Sequence, residues 1–180
     1  MSFDAAKIFG AGVTFVPKDV PPIPVEVRKD AKGIPLVFHL RRLPTLDAQK
    51  IWDRVTTAAK QAQQIDDPEA TLSRLMEACK QLTEPRGPKK KPAVVERIEG
   101  LTLDNFQALV NDHREYQGEV FDRMRAEPEL EFPSSPEIIG YVLAQNASVR
   151  LLVLAKMSEM IEEETQRQEG KDDASESSSA

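Results

Sequence analysis

Apolar and polar residues alternate along residues 34–41. Ile34, Leu36, Phe38 and Leu40 share one parity; Pro35, Val37, His39 and Arg41 share the other. A period of two places the first set on one face of a β-strand. Upstream, Val25 and Val27 alternate with Glu26 and Arg28. The intervening Lys29-Asp30-Ala31-Lys32-Gly33 is turn chemistry, with Gly33 free to take positive φ. Residues 25–41 are therefore expected to form a β-hairpin. Two strands alone are marginal, so the face carrying Phe38 and Leu40 must join a core with helices.

After Pro44 the period changes. Ile51, Trp52, Val55, Ala58, Ala59 and Ala62 fall on one helical stripe, which predicts a helix over 45–64 with Thr45 as N-cap. Trp52, the lone tryptophan, is expected in the core against the hairpin. A second helix is expected over 68–82. Asp67 caps it, and Pro68 sits where a missing N–H does no harm. Leu72, Leu75, Met76, Cys79 and Leu82 form its apolar face, so Cys79 reads as a small buried hydrophobe.

Thr102 opens an expected long helix over 102–126, with Phe106, Leu109, Val110, His113, Val120, Phe121 and Met124 in its stripe. Gly118 falls mid-helix, at a cost of about 1 kcal/mol against Ala. Residues 136–145 and 147–166 read as one broken helix or two, joined at Asn146. Ser134 or Ser135 caps the first part, with Pro136 in the first turn and Glu137 placed for a capping box with Ser134.

This pattern predicts an α+β, mainly α fold: an N-terminal β-hairpin packed on a bundle of four to five helices. Residues 1–24 hold Gly10, Gly12 and four prolines, Pro17, Pro21, Pro22 and Pro24, and read as an extended arm. Residues 25–82 comprise the hairpin and two helices. Residues 83–92, with three prolines and Lys89-Lys90-Lys91, read as a linker. Residues 93–166 form a helical C-terminal lobe, and the Ser- and acid-rich 167–180 are expected to be disordered.

Charge sharpens the division. Residues 1–92 carry 16 basic against 11 acidic side chains, and residues 93–180 carry 8 against 19, giving +5 and −11 within the net −6. The two halves can attract each other or steer a partner. Part of the imbalance sits in a solvated basic linker, which carries +3, and an acidic tail, which carries −2. With one cysteine there is no internal disulfide and no CxxC metal site, which fits a reducing, cytoplasmic setting. The N-terminus lacks a basic region followed by an apolar run, and Arg150, Lys156 and Glu159 interrupt the longest apolar stretch. Neither a secretory leader nor a membrane span is expected.

Catalytic chemistry leaves few traces. His39 lies on the hairpin's second face. His113-Arg114-Glu115 matches the H-x-E half of a zinc deaminase signature, but the P-C-x-x-C half is missing. No phosphate-binding loop, HExxH or GxSxG motif occurs. Glu127, Glu129 and Glu131, like Glu162, Glu163 and Glu164, read as solvated surface. No catalytic residue, cofactor or metal is therefore expected. For protein contacts the choice falls on Leu152, Met157 and Met160, the two methionines being adaptable although core packing is their commoner use. Arg86, Lys89, Lys90 and Lys91 are the candidates for a basic contact. Nucleic acid is not the expected partner, because the chain is acidic and its aromatics do not interleave with basic residues.

Taken in order, the pieces resemble the tail assembly chaperones of long-tailed bacteriophages over roughly residues 25–163. The resemblance rests on Val25-Glu26-Val27, Lys32-Gly33, and the run Leu36-Val37-Phe38-His39-Leu40-Arg41-Arg42-Leu43-Pro44-Thr45 entering a helix. It continues through Val94-Val95-Glu96-Arg97-Ile98-Glu99-Gly100-Leu101, and through Phe132-Pro133-Ser134-Ser135-Pro136-Glu137 ahead of the last helices. Where that family usually has a tryptophan before the Glu-Gly step, this chain has Arg97-Ile98. The resemblance implies a non-enzymatic protein of the host cytoplasm that binds the tape-measure protein and tail-tube subunits before the tail polymerises and is absent from the mature particle. The competing expectation is a small helical regulatory or adaptor protein that touches nucleic acid through the basic linker.

Overall fold

A computed structural model of the protein describes residues 20–84, 93–110 and 118–176, with side chains through Gly170. The fold is α+β and mainly α. The hairpin forms as its alternation predicts: β1 is Ile23–Lys29 and β2 is Pro35–Leu40, paired antiparallel. Gly33, at φ 83°, closes the turn, and Asp30 Oδ1 accepts from the N–H groups of Lys32 at 2.9 Å and Ile34 at 2.8 Å. Leu36, Phe38 and Leu40 are fully buried, so the period-two face is the core face.

A third strand completes the sheet. β3, Val95–Glu99, pairs antiparallel with the other edge of β2, giving the order β1-β2-β3. Its apolar positions, Val95 and Ile98, are three apart and so violate strict alternation. The register runs from His39↔Arg97 to Leu40↔Val95 and skips Glu96. That bulge resets the parity and lets both Val95 and Ile98 reach the core.

Six helices follow among the described residues: α1 Thr45–Ala62, α2 Pro68–Thr83, α3 Leu103–Leu109, α4 Glu119–Ala126, α5 Pro136–Gln145 and α6 Ala147–Glu176. α2 packs against both α1 and α5, and α6 lies across α1 and β1. The segments flanking the linker thus share one sheet and one core, with Leu36, Phe38, Ile51, Leu82, Leu101, Ile139, Leu143 and Val153 in the same cluster. Phe106 centres an aromatic group in the later half, 4.7 Å from the Phe132 ring and 6.5 Å from Phe121.

Several local expectations are corrected. The long helix over 102–126 is two helices. α3 ends at Leu109, and Gly118 precedes α4 at φ 119°, a left-handed backbone that interrupts a helix and that glycine adopts most readily. Residues 111–117, His113 among them, lie outside the described part, as do the arm 1–19 and the linker 85–92. Thr45 is the first helical residue, not the cap. Pro44 takes the cap position, and Thr45 Oγ1 is buried without a hydrogen bond.

Ser135, not Ser134, caps α5 by accepting from Ile138 N–H at 3.3 Å. Ser134 instead serves the sheet: its hydroxyl accepts from Ile98 N–H at 3.0 Å and donates to Ile98 O at 2.7 Å. No Ser134–Glu137 capping box forms. The final helix continues past residue 166 to Glu176, through Arg167, Gln168, Glu169 and Lys171, which favour helix, and across Gly170, Asp172 and Asp173, which favour it less. Trp52 is half-buried, packs against the core cluster that includes Leu36, Phe38 and Leu40, and donates from Nε1 to Leu154 O at 3.2 Å, which ties α1 to α6.

A polar node ties the hairpin turn to the start of α3. Asp30 Oδ2 accepts from the Thr102 hydroxyl at 3.1 Å, and Thr102 Oγ1 accepts from Asn105 N–H, capping α3. Asn105 Nδ2 donates to Gly100 O at 2.7 Å, and Ala31 N–H donates to Asp104 Oδ2 at 3.0 Å. Thr102 and Asn105 are fully buried. Burial pushes the Asp30 carboxyl up, but the N–H of Ile34, the Thr102 hydroxyl and the N–H and charge of Lys32 outweigh it and hold it below its ordinary value.

Candidate functional site

α6 begins at a sharp corner. Asn146 ends α5 and starts α6, its Oδ1 accepting from Val149 N–H at 3.0 Å, and the two helix axes differ by 107°. Arg150 holds the corner. It is buried, and Nη1 donates to Leu143 O at 2.9 Å and Ala144 O at 3.1 Å, satisfying carbonyls at the C-terminal end of α5.

The corner fixes which side of α6 meets the core. At about 100° per residue, Val149, Val153, Leu154, Met157 and Met160 fall on one side of the helix, and all five are buried. Ala147, Ser148, Leu151, Leu152 and Ala155 fall on the other and are exposed, Leu151 to 63% and Leu152 to 39%. For about its first two and a half turns, the solvent face of α6 therefore carries no charged side chain. Further along it becomes acidic with Glu159, Glu162 and Glu163. Lys156 pairs with Glu159 at 2.6 Å, Arg42 pairs with Glu163 at 3.2 Å, and Glu162 has no ionic partner among the described residues.

Of the three residues chosen for protein contact, only Leu152 stands on the surface. Met157 and Met160 are 2% and 9% exposed and belong to the core, which corrects their place in the contact set. Leu151 and Ala155 share the exposed side of α6 with Leu152. Their signal was present in the sequence as a helix apolar on nearly all sides, but periodicity alone cannot say which side a core will take. Arg86, Lys89, Lys90 and Lys91 lie outside the described residues.

The other groups with chemical potential are engaged. Cys79 is buried, and burial pushes its thiol up to about 11, against a smaller opposing pull from Arg150. His39 is buried with Nε2 3.2 Å from Glu99 Oε2, off the axis of an aligned hydrogen bond. The Arg97 hydrogen bond first, and His39 second, hold the Glu99 carboxyl below its usual range. Glu127 pairs with Arg123 at 3.8 Å and Glu129 with Lys32 at 3.9 Å.

Between α1 and α2 lies an open cleft of about 420 Å³ lined by Arg54, Arg74, Asp53 and Glu77, among others. Arg54 and Arg74 donate to Gln81 at 3.4 Å and Gln61 at 2.7 Å, and the two arginines balance the two acids, so the cleft selects no charge. Among the described residues, no group of three or more His, Cys, Asp or Glu is placed to hold a metal ion. No single described helix is long and apolar enough to cross a membrane.

Compared with protein-family models, curated proteins and solved structures, the chain has no significant match.

Proposed function

We propose that this chain is a non-catalytic binding protein of the host cytoplasm, a tail assembly chaperone of a long-tailed bacteriophage. It holds the tape-measure protein and tail-tube subunits before the tail polymerises and is absent from the finished particle. The observation that carries the binding reading is the adjacent pair Leu151 and Leu152 on the solvent side of α6, where side chains of that size gain most by being covered. The order of hairpin, helices and a Pro/Ser-capped penultimate helix supports the assignment to tail assembly.

The physical need is specific. A long tape-measure helix exposes apolar stripes, and free tube subunits expose strand edges that pair wrongly. A chaperone must cover such surfaces and then let go, which suits a small apolar patch better than a large one.

Co-expression of the tagged chain with the tape-measure and tube proteins encoded beside it, followed by pull-down and mass spectrometry of mature particles, tests the proposal. Capture of either partner with absence from particles is expected. Capture of neither, or the chain's presence in particles, overturns it. Salt-dependent retention of DNA or RNA, with no protein captured, moves the reading to an adaptor that touches nucleic acid.

A further inference from the structure

A helix that is apolar on all sides is stable only where all sides are covered. The first turns of α6 approach that character: Val149, Val153, Leu154 and Met157 face the core, and Ala147, Ser148, Leu151, Leu152 and Ala155, none of them charged, face solvent. We propose that this face seats an amphipathic helix of a partner protein, one whose aliphatic stripe is followed by lysines or arginines. The inference rests on the protein-binding half of the function proposed above and is independent of its assignment to tail assembly.

Two features select that occupant. Shape comes first. The small residues Ala147, Ser148 and Ala155 flank the two leucines, so a second helix can approach closely and interleave its own aliphatic side chains with Leu151 and Leu152. Charge comes second. The same face runs on into Glu159, Glu162 and Glu163, with Glu162 lacking an ionic partner among the described residues. The pairs Lys156–Glu159 and Arg42–Glu163 are partly exposed and therefore easily exchanged for a partner's basic groups.

Other occupants fit less well. An anionic membrane repels a face that ends in three glutamates. Parallel pairing with a second copy stacks Glu162 against Glu162, and antiparallel pairing gives the glutamates no basic counterpart.

The test uses the full chain with Ala155→Cys as a maleimide-labelling site, Cys79 being buried and its thiol raised to about 11 and so silent. The added ligand is a synthetic amphipathic helix with leucines three and four apart and a lysine-rich end. Fast labelling of the free chain and protection by this peptide are expected. Affinity should fall on the order of tenfold or more when its lysines are replaced by glutamates, and similarly in Leu151→Glu or Leu152→Glu.

Slow labelling of the free chain overturns the proposal, because the face is then covered by the chain itself. Equal affinity for both peptides, concentration-dependent self-association that protects the site, or protection by lipid vesicles instead of the peptide also overturns it. If the peptide fails while Leu151→Glu still captures tail proteins, the surface is wrong and the assembly role stands. If the peptide binds while tail proteins are not captured, the surface stands and the assembly role falls.

Discussion

Gly100 sits so close to β2 that a Cβ placed on it would lie 1.9 Å from the carbonyl oxygen of Pro35. The contact joins the end of β3 to the start of β2, and Gly100 adopts φ 75° to make it. Gly33 has a similar φ of 83° but open space around it. Gly33→Ala should therefore cost about 1–2 kcal/mol, the left-handed backbone penalty alone. Gly100→Ala must bear that penalty and also move backbone, so it should destabilise clearly more. Urea unfolding midpoints of the two variants check the difference, and equal shifts would refute the close-packing account.

Acid should loosen the node at Asp30. Its carboxyl is held below the ordinary value of 3.8 in the folded chain. The stabilisation it contributes is present above that value and is lost as pH falls through the lower, folded one. Asp30→Asn should lower the melting temperature at neutral pH and leave a flatter stability profile below about pH 4. Thermal melts across that range read the result, and parallel profiles for the two proteins would assign the acid sensitivity to other groups.

Arg150 should matter as a hydrogen-bond donor more than as a charge. Arg150→Met keeps the aliphatic stem but strips donors from Leu143 O and Ala144 O. Leaving buried carbonyls unmet costs about 1–3 kcal/mol, so a drop of that size is expected, with Arg150→Lys intermediate. Full retention of stability in the methionine variant would mean that water replaces the guanidinium.

Trp52 reports on the docking of α6. Trp52→Phe loses the Nε1 bond to Leu154 O and should cost about 1 kcal/mol. In the parent chain the lone indole should change its fluorescence in the same transition that melts the helices. An earlier, separate fluorescence transition would show that α6 undocks before the sheet unfolds.

The two sides of α6 should separate stability from binding. Leu151→Gln and Leu152→Gln should change stability by no more than about 0.5 kcal/mol, yet weaken capture of partner proteins. Met157→Ala should cost about 2–5 kcal/mol as a buried large-to-small change. Denaturation and pull-down on the same three variants give the comparison, and intact capture by both leucine variants would move the contact surface elsewhere.

Local pattern along the chain determined much of this protein. Alternation over Ile34–Leu40 was enough to place the core face of β2, because side chains in a strand point to opposite sides whatever surrounds them. Asp67-Pro68 was enough to start α2, and Thr102 to cap α3, because a cap is satisfied within its own turn. Other features were decided only by tertiary structure. β3 was hidden because its bulge makes sense only against β2, and Ser134 was drawn from the cap to Ile98 by a strand distant in sequence. The end of α3 at Leu109, with Val110 already extended, and the positive φ of Gly118 ahead of α4 are backbone features that an apolar stripe does not record. Most consequentially, the first turns of α6 carry apolar residues around most of the helix, so the sequence allowed either Met157 or Leu151 to face water. The 107° corner at Asn146, held by Arg150, turned Met157 inward and left Leu151 outside, because a rigid helix joined to a packed one has a single side available to the core.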